Sequence, residues 1–277
     1  MLSCSSNAKE NLDNTRKALT DGYNSQHSYT SSLHLAMTIL FILLVTLGAA
    51  LAKCCPPSDA EIAHRSFAVI KFGDVPLYSG VIVSRSIVLT INEFHPEVDN
   101  DDLKVMVDIS SDSNSQKDHD VDRIIHPKDP NFRVTLLKLE TPIIFHGNVG
   151  YAPFSLKEDI GDDRATMICW RGSDIRHITK ISTEFRVVSP RLCNTLRQQE
   201  SYPDNFICLM PLRILNPICA AGSFGGGIFV DGHLEAIVDK IPRKGHVHNV
   251  VEFYPKISKD NKNWIRQKIR EQELAGE

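Results

Sequence analysis

The chain has 277 residues, 34 of them acidic and 31 basic, for a formal net charge of −3. With no basic cluster and no repeat, nothing points to nucleic acid as a partner. Seven cysteines and an apolar run near the amino terminus point instead to an oxidising compartment.

Residues 1–36 read as a polar extension, and residues 37–52 as a signal peptide or signal anchor. The run LAMTILFILLVTLGAALA, Leu35 to Ala52, ends in small residues that suit cleavage before Lys53. Secretion is the favoured expectation, with Met37 starting a short signal peptide of its own. If Met1 is the start and the run is kept, its 18 residues are just long enough for an anchor. The product is then a type II membrane protein with its folded part outside, the one case in which the membrane is a partner. Losing the leader removes Cys4 and leaves an even set: Cys54, Cys55, Cys169, Cys193, Cys208 and Cys219.

From residue 53 onward about 225 residues remain, enough for one all-β domain. Short runs rich in Val, Ile and Phe follow one another: FAVIKF from Phe67, LYSGVIV from Leu77, SIVLTI from Ser86, LKVMVDI from Leu103 and RVTLLKL from Arg133. GGGIFV from Gly225 continues the series, and turn residues separate the runs as in antiparallel sheets. Between them SSDSNSQKDHD, Ser110 to Asp120, is a polar surface loop whose acids lack the ligand spacing of a calcium site. His246 and His248 share a strand face but have no third ligand in the pattern. Neither a cofactor nor a metal ion is therefore expected. Helix is predicted mainly at the end, capped by Ser258 and carrying Trp264, Ile265 and Ile269 as its apolar stripe.

Four segments, in order, carry a family resemblance. They are YSGVIVSRSIVLTINEF (Tyr78–Phe94), RIIHPKDPNFRVTLLKLETPIIF (Arg123–Phe145), CAAGSFGGGIFVDGHLEAIV (Cys219–Val238) and EFYPKISKDNKNWIRQKI (Glu252–Ile269). Together they resemble the trypsin-like serine proteases. The resemblance implies two six-stranded antiparallel β-barrels, at about 62–150 and about 165–255, within a domain of residues 53–277, and a carboxy-terminal helix at about 258–273. It also implies a Cys193–Cys208 disulfide. The family's cysteine pair beside its catalytic His is replaced at both ends, by Tyr78 and Phe94. Cys169 and Cys219 lack their usual partners, which leaves them to pair with Cys54, with Cys55 or with each other.

The same resemblance places the triad on residues that cannot perform it. The base falls on Glu93, an ordinary carboxylate with a pKa of about 4.3 and a poor acceptor of a serine proton. The orienting acid falls on Arg133, whose fixed positive charge would repel an imidazolium. The nucleophile falls on Ser223 when counted from Cys219, or on Phe224 when the glycine pair is matched. His95, two residues past the base position, is turned away by about 200° if that turn is helical. Ala221 replaces an oxyanion-hole glycine, and Gly222 stands where a buried Asp would receive a new amino terminus. DAEIAHRSFAVIKF lacks the activation motif, Pro217 lies at the base of the specificity pocket, and Asp239, Lys240 and Ile241 replace its SWG edge. Glu93 and Arg133, neighbours of opposite charge in this alignment, suggest a structural salt bridge, against the alternative of two solvated charges. The function implied is that of a secreted, non-catalytic protease homologue. Such a protein binds other extracellular proteins, including proteases, as a cofactor, decoy or regulator in a cascade, in immunity or in reproductive fluid. A serine hydrolase rebuilt around Ser223 and a membrane-anchored binding module are the alternatives.

Overall fold

Why the first strands read as unbroken apolar runs becomes clear from where their two faces go. The computed structural model describes residues 37, 40, 41, 57–91, 102–109, 116–129, 132–155, 163–172, 178–197, 205–212, 219, 223–239 and 251–274. In β1 (Phe67–Phe72), Ala68 and Ile70 point into one apolar cluster while Phe67 and Val69 point into another. β2 (Val75–Ile82), β3 (Ile87–Ile91) and β6 (Val134–Leu139) divide in the same way, with Ile82, Val88 and Leu137 on one side and Val81, Leu89 and Leu136 on the other. Alternate residues of a strand face opposite sides of its sheet. Each of these strands therefore has both sides covered, one by the interior of its own barrel and one by a second layer.

With β4 (Leu103–Val107) and β5 (Lys117–Ile125) these strands form a closed antiparallel barrel in the order β1-β2-β3-β6-β5-β4. β1 closes it by pairing with β4, Val69 opposite Met106. The outer face of β5 meets water and carries charge, and there Lys71, Lys104 and Lys138 pair with Asp118, Asp120 and Asp122.

A second antiparallel sheet follows: β7 (Arg164–Arg171), β8 (Thr179–Val187), β9 (Phe206–Pro211), β10 (Gly227–Val230), β11 (His233–Ile237) and β12 (Glu252–Pro255). Its six strands run in the order β11-β10-β7-β8-β9-β12. The two edge strands nearly meet, through a bridge between Ala236 and Lys256 and a hydrogen bond from Ile257 N to the Glu235 oxygen at 2.8 Å. Here too the faces divide: Ala165, Met167 and Cys169 line the barrel interior, whereas Ile168 and Trp170 turn towards the first barrel. One apolar cluster thus runs through both barrels, from Phe67 and Leu89 to Phe229 and Ile237.

Three helices accompany the described strands. The expected carboxy-terminal helix is α3 (Lys259–Leu274), and the Ser258 side chain accepts from Asn261 N at 3.3 Å as its cap. Two shorter helices lie at places the sequence did not single out. α1 (Asp59–Arg65) precedes β1 and α2 (Pro190–Arg197) follows β8. α1 is short and mostly polar, with Ala63 as its buried residue, so it carries little apolar periodicity to read.

α3 is held by charge as well as by Ile265. Lys262 Nζ lies 2.7 Å from Glu235 Oε2, with only 5% and 2% of the two side chains exposed. Nearby, Phe132 of the first barrel meets the Trp264 ring edge-on at 5.9 Å. Cys193 is bonded to Cys208, tying α2 to β9, and Cys169 is bonded to Cys219. Of the pairings left open for Cys169 and Cys219, the structure takes the one in which they bond each other. Cys54 and Cys55 lie outside the described residues.

Removing one member of a buried ion pair strands the other in a poor solvent. Lys262→Met is expected to lower unfolding free energy by about 3 kcal/mol, and Glu235→Gln combined with Lys262→Met to restore most of it. Chemical denaturation checks this; an undiminished single variant would show that the pair does not hold the helix. Peptide mapping without reduction should recover the Cys193–Cys208 and Cys169–Cys219 linkages. Removing the second as a Cys169→Ala, Cys219→Ala pair should cost about 2–4 kcal/mol.

Candidate functional site

The segment leading into β10 crosses between the barrels, and glycine is what lets it through. Gly225 has φ +91°, a conformation that side chains resist, and a Cβ there would strike the Ser79 carbonyl oxygen. A Cβ on Gly226 would strike the Ile168 carbonyl oxygen. The backbone thus lies directly against β2 on one side and β7 on the other.

Ser79, at the centre of β2, holds this crossing in place. Its N–H donates to the Phe224 oxygen at 2.5 Å, and its hydroxyl donates to the Ser223 oxygen at 2.8 Å. The Thr90 hydroxyl of β3 in turn donates to the Ser79 carbonyl at 2.7 Å. On the other flank Gly225 N donates to the Val238 oxygen at 2.7 Å, and Val238 N to the Gly226 oxygen at 2.8 Å. The Cys169–Cys219 bond fastens the start of the same loop to β7.

The two candidates for the nucleophile stand very differently. Ser223 is fully buried, and its hydroxyl has no hydrogen-bond partner among the described residues. Phe224 is half-buried and packs against the cluster between the barrels. The described histidines are engaged elsewhere: His64 with Ser182, His119 with Thr141, His126 with Thr135, His146 with Asp108 and His233 with the Asp231 oxygen. None of these bonds reaches Ser223. A serine nucleophile needs a base within hydrogen-bond reach and an open face for substrate.

Arg133 is exposed just before β6. Glu93, its proposed partner, lies outside the described residues, as do Phe94 and His95. So do Pro217, Ala221, Gly222, Lys240, Ile241, His246, His248 and residues 110–115 of the polar loop. Asp239 is half-buried just past β11. Burial pushes the Tyr254 phenol well above its ordinary range, and the charges of Glu252 and Asp239 push it further. Two carboxylates therefore face this hydroxyl inside the second barrel. Glu252 is 5% exposed, and its Oε1 has no hydrogen-bond partner among the described residues. The sequence reading did not single out Glu252, because a lone Glu at the head of a strand carries no pattern.

No group of three or more His, Cys, Asp or Glu placed to hold a metal ion occurs among the described residues. Nor is any described helix long and apolar enough to cross a membrane, although most of residues 35–52 lie outside the described set.

A close backbone crossing should not tolerate a methyl group. Gly226→Ala is expected to destabilise the fold by about 1–3 kcal/mol through overpacking against β7. A thermal or denaturant midpoint equal to that of the parent protein would show that the loop does not cross so tightly.

No family model matches the chain. No curated protein matches it either. Among solved structures it is similar to neuropsin, a serine protease expressed in the limbic system of mouse brain. The TM-score is 0.57 and the identity 16%, over 76% of this chain and 96% of that one. At that identity the likeness speaks for the architecture alone, and the paired six-stranded sheets, the loop threaded between them and the terminal helix agree with it. The chain has the trypsin-like serine protease fold.

Proposed function

We propose that this protein is a secreted, non-catalytic member of the trypsin-like architecture that acts by binding other extracellular proteins. The observation that carries the proposal is the burial of the Ser223 hydroxyl, which has neither a base nor open space among the described residues. Phe224, the alternative occupant of that position, has no nucleophilic group at all. Triad members act as a unit, so losing the base and the orienting acid removes several powers of ten in rate even where a serine survives. The Arg133 guanidinium supports the same reading, since it carries the wrong charge to orient a histidine.

The segment before β1 adds a second line of support. Where a family zymogen would be cut to free an amino terminus, this chain forms α1, capped by the Ser58 hydroxyl and packed on β7, β8 and β10. The Asp59 carboxylate accepts from Gly232 N in the turn between β10 and β11. A helix pinned along its length is a poor source of a free terminus that must move. Two disulfides fit an oxidising compartment. A fold of this kind that has lost its chemistry keeps its loops, which are the usual seat of recognition.

Purified protein with its native amino terminus should show no labelling by a serine-directed fluorophosphonate and no peptide hydrolysis above background. Labelling that Ser223→Ala abolishes would sink the proposal and favour a rebuilt hydrolase. Sequencing the amino terminus of the mature protein tests secretion in parallel: a start at Lys53 is expected, whereas a retained run of residues 35–52 would favour the anchored form.

A further inference from the structure

The contacts of α1 with β8 run through proton-binding groups. His64 Nε2 and the Ser182 hydroxyl of β8 are 3.1 Å apart, and Lys180 of the same strand donates from Nζ to the His64 carbonyl oxygen at 3.1 Å. The side chain and the backbone of one half-buried histidine are thus both engaged by β8, with an ammonium group beside the ring. The apolar part of the docking is supplied by Ala63 and Ile62.

We propose that α1 is a proton-operated latch: a proton taken up by His64 places a second positive charge beside the Lys180 ammonium and loosens the helix from the second barrel. The inference concerns α1 alone and does not depend on whether the protein is catalytic.

The charged groups around His64 are of both signs: β8 adds the exposed Glu184, two residues from Ser182, and Arg186 to Lys180, and of these it is the Lys180 charge that acts on the ring. On its own helix the charged neighbours are Arg65, whose Nε is buried with no hydrogen-bond partner among the described residues, and the exposed Glu61. β7 carries its charges, Arg164 and Arg171, exposed at its two ends, and β10 carries none. Burial lowers the Lys180 pKa, and the Asp108 carboxylate, just past the end of β4, partly offsets this. The Asp108 Oδ2 is also 3.6 Å from His146 Nε2. Burial, and then the Lys180 charge, hold His64 below the ordinary histidine range.

A histidine whose docked form binds protons less readily than its released form gives docking that is complete above its ordinary pKa of about 6.5 and weakens as pH falls below it. Asp59, at the other end of α1, has the opposite sign. Burial raises its pKa, with Gly232, Asp231 and His233 as its neighbours, so its protonation favours the docked form and cannot drive release.

Hydrogen exchange of the full chain at pH 7.5 and 5.5, corrected for intrinsic exchange, tests the latch. The opening constant of amides in residues 60–66 should rise at least about threefold at the lower pH, while those of β3 stay constant. His64→Gln, which keeps a hydrogen-bonding group for Ser182, should abolish the rise, and Lys180→Met should reduce it. A flat response in the parent protein, an equal loosening of β3, or an undiminished rise in His64→Gln overturns the proposal. If His64→Gln does not fold, Lys180→Met decides: a reduced rise supports the latch and an unchanged rise overturns it.

Discussion

Two barrels can share a core only if something crosses between them without holding them apart, and here that is the backbone from Ser223 to Gly227. Gly225 and Gly226 lie against the carbonyls of Ser79 and Ile168, in space that excludes even a methyl group. Ser79 then converts proximity into attachment, since its amide and hydroxyl satisfy two successive carbonyls of the crossing segment. Buried carbonyls left without donors would be costly. The crossing is therefore both sterically and electrostatically specified, and the register of β10 against β7 and β11 follows from it.

The apolar cluster between the barrels depends on that crossing. Strands of the first barrel bury one face inside it and present Phe67, Val69, Leu89 and Leu136 outward, where water would otherwise reach them. Ile168, Trp170, Phe229 and Ile237 come from the other side to cover them. At about 25 cal/mol per Å² of apolar surface, covering side chains of this size outweighs any single polar contact in the interface. α3 extends the arrangement by burying Ile265 in the same cluster and neutralising the Glu235 charge with Lys262. Both barrels are thus fastened to common material.

Around the crossing, the polar groups of the loop's backbone attach it to β2. The carbonyls of Ser223 and Phe224 serve as acceptors for Ser79, and the Ser223 hydroxyl is enclosed. Charge lies in the lysine–aspartate pairs along β5, in the buried Glu235–Lys262 pair, and in the carboxylates of Glu252 and Asp239 near the Tyr254 phenol.

How much was legible beforehand depended on the range of the interaction involved. The sequence by itself determined the strand runs, the all-β class and the Ser258 cap, because short apolar runs and the turn residues between them act over a few neighbours; the two-barrel architecture followed from the resemblance of four ordered segments. Tertiary structure decided the rest. α1 has a single buried residue, and it is held by Ala63 and Ile62 against the shared cluster and by polar seats on β8 and on the turn after β10, all distant in sequence, so no local periodicity could announce it. The Cys169–Cys219 bond was one of several open pairings until β7 and the loop were brought together across 50 residues. The ambiguity between Ser223 and Phe224 could not be settled by counting from either end of the loop. What distinguishes them is which side chain the crossing encloses and which it leaves half-exposed, and that depends on the packing of two barrels far apart in the chain.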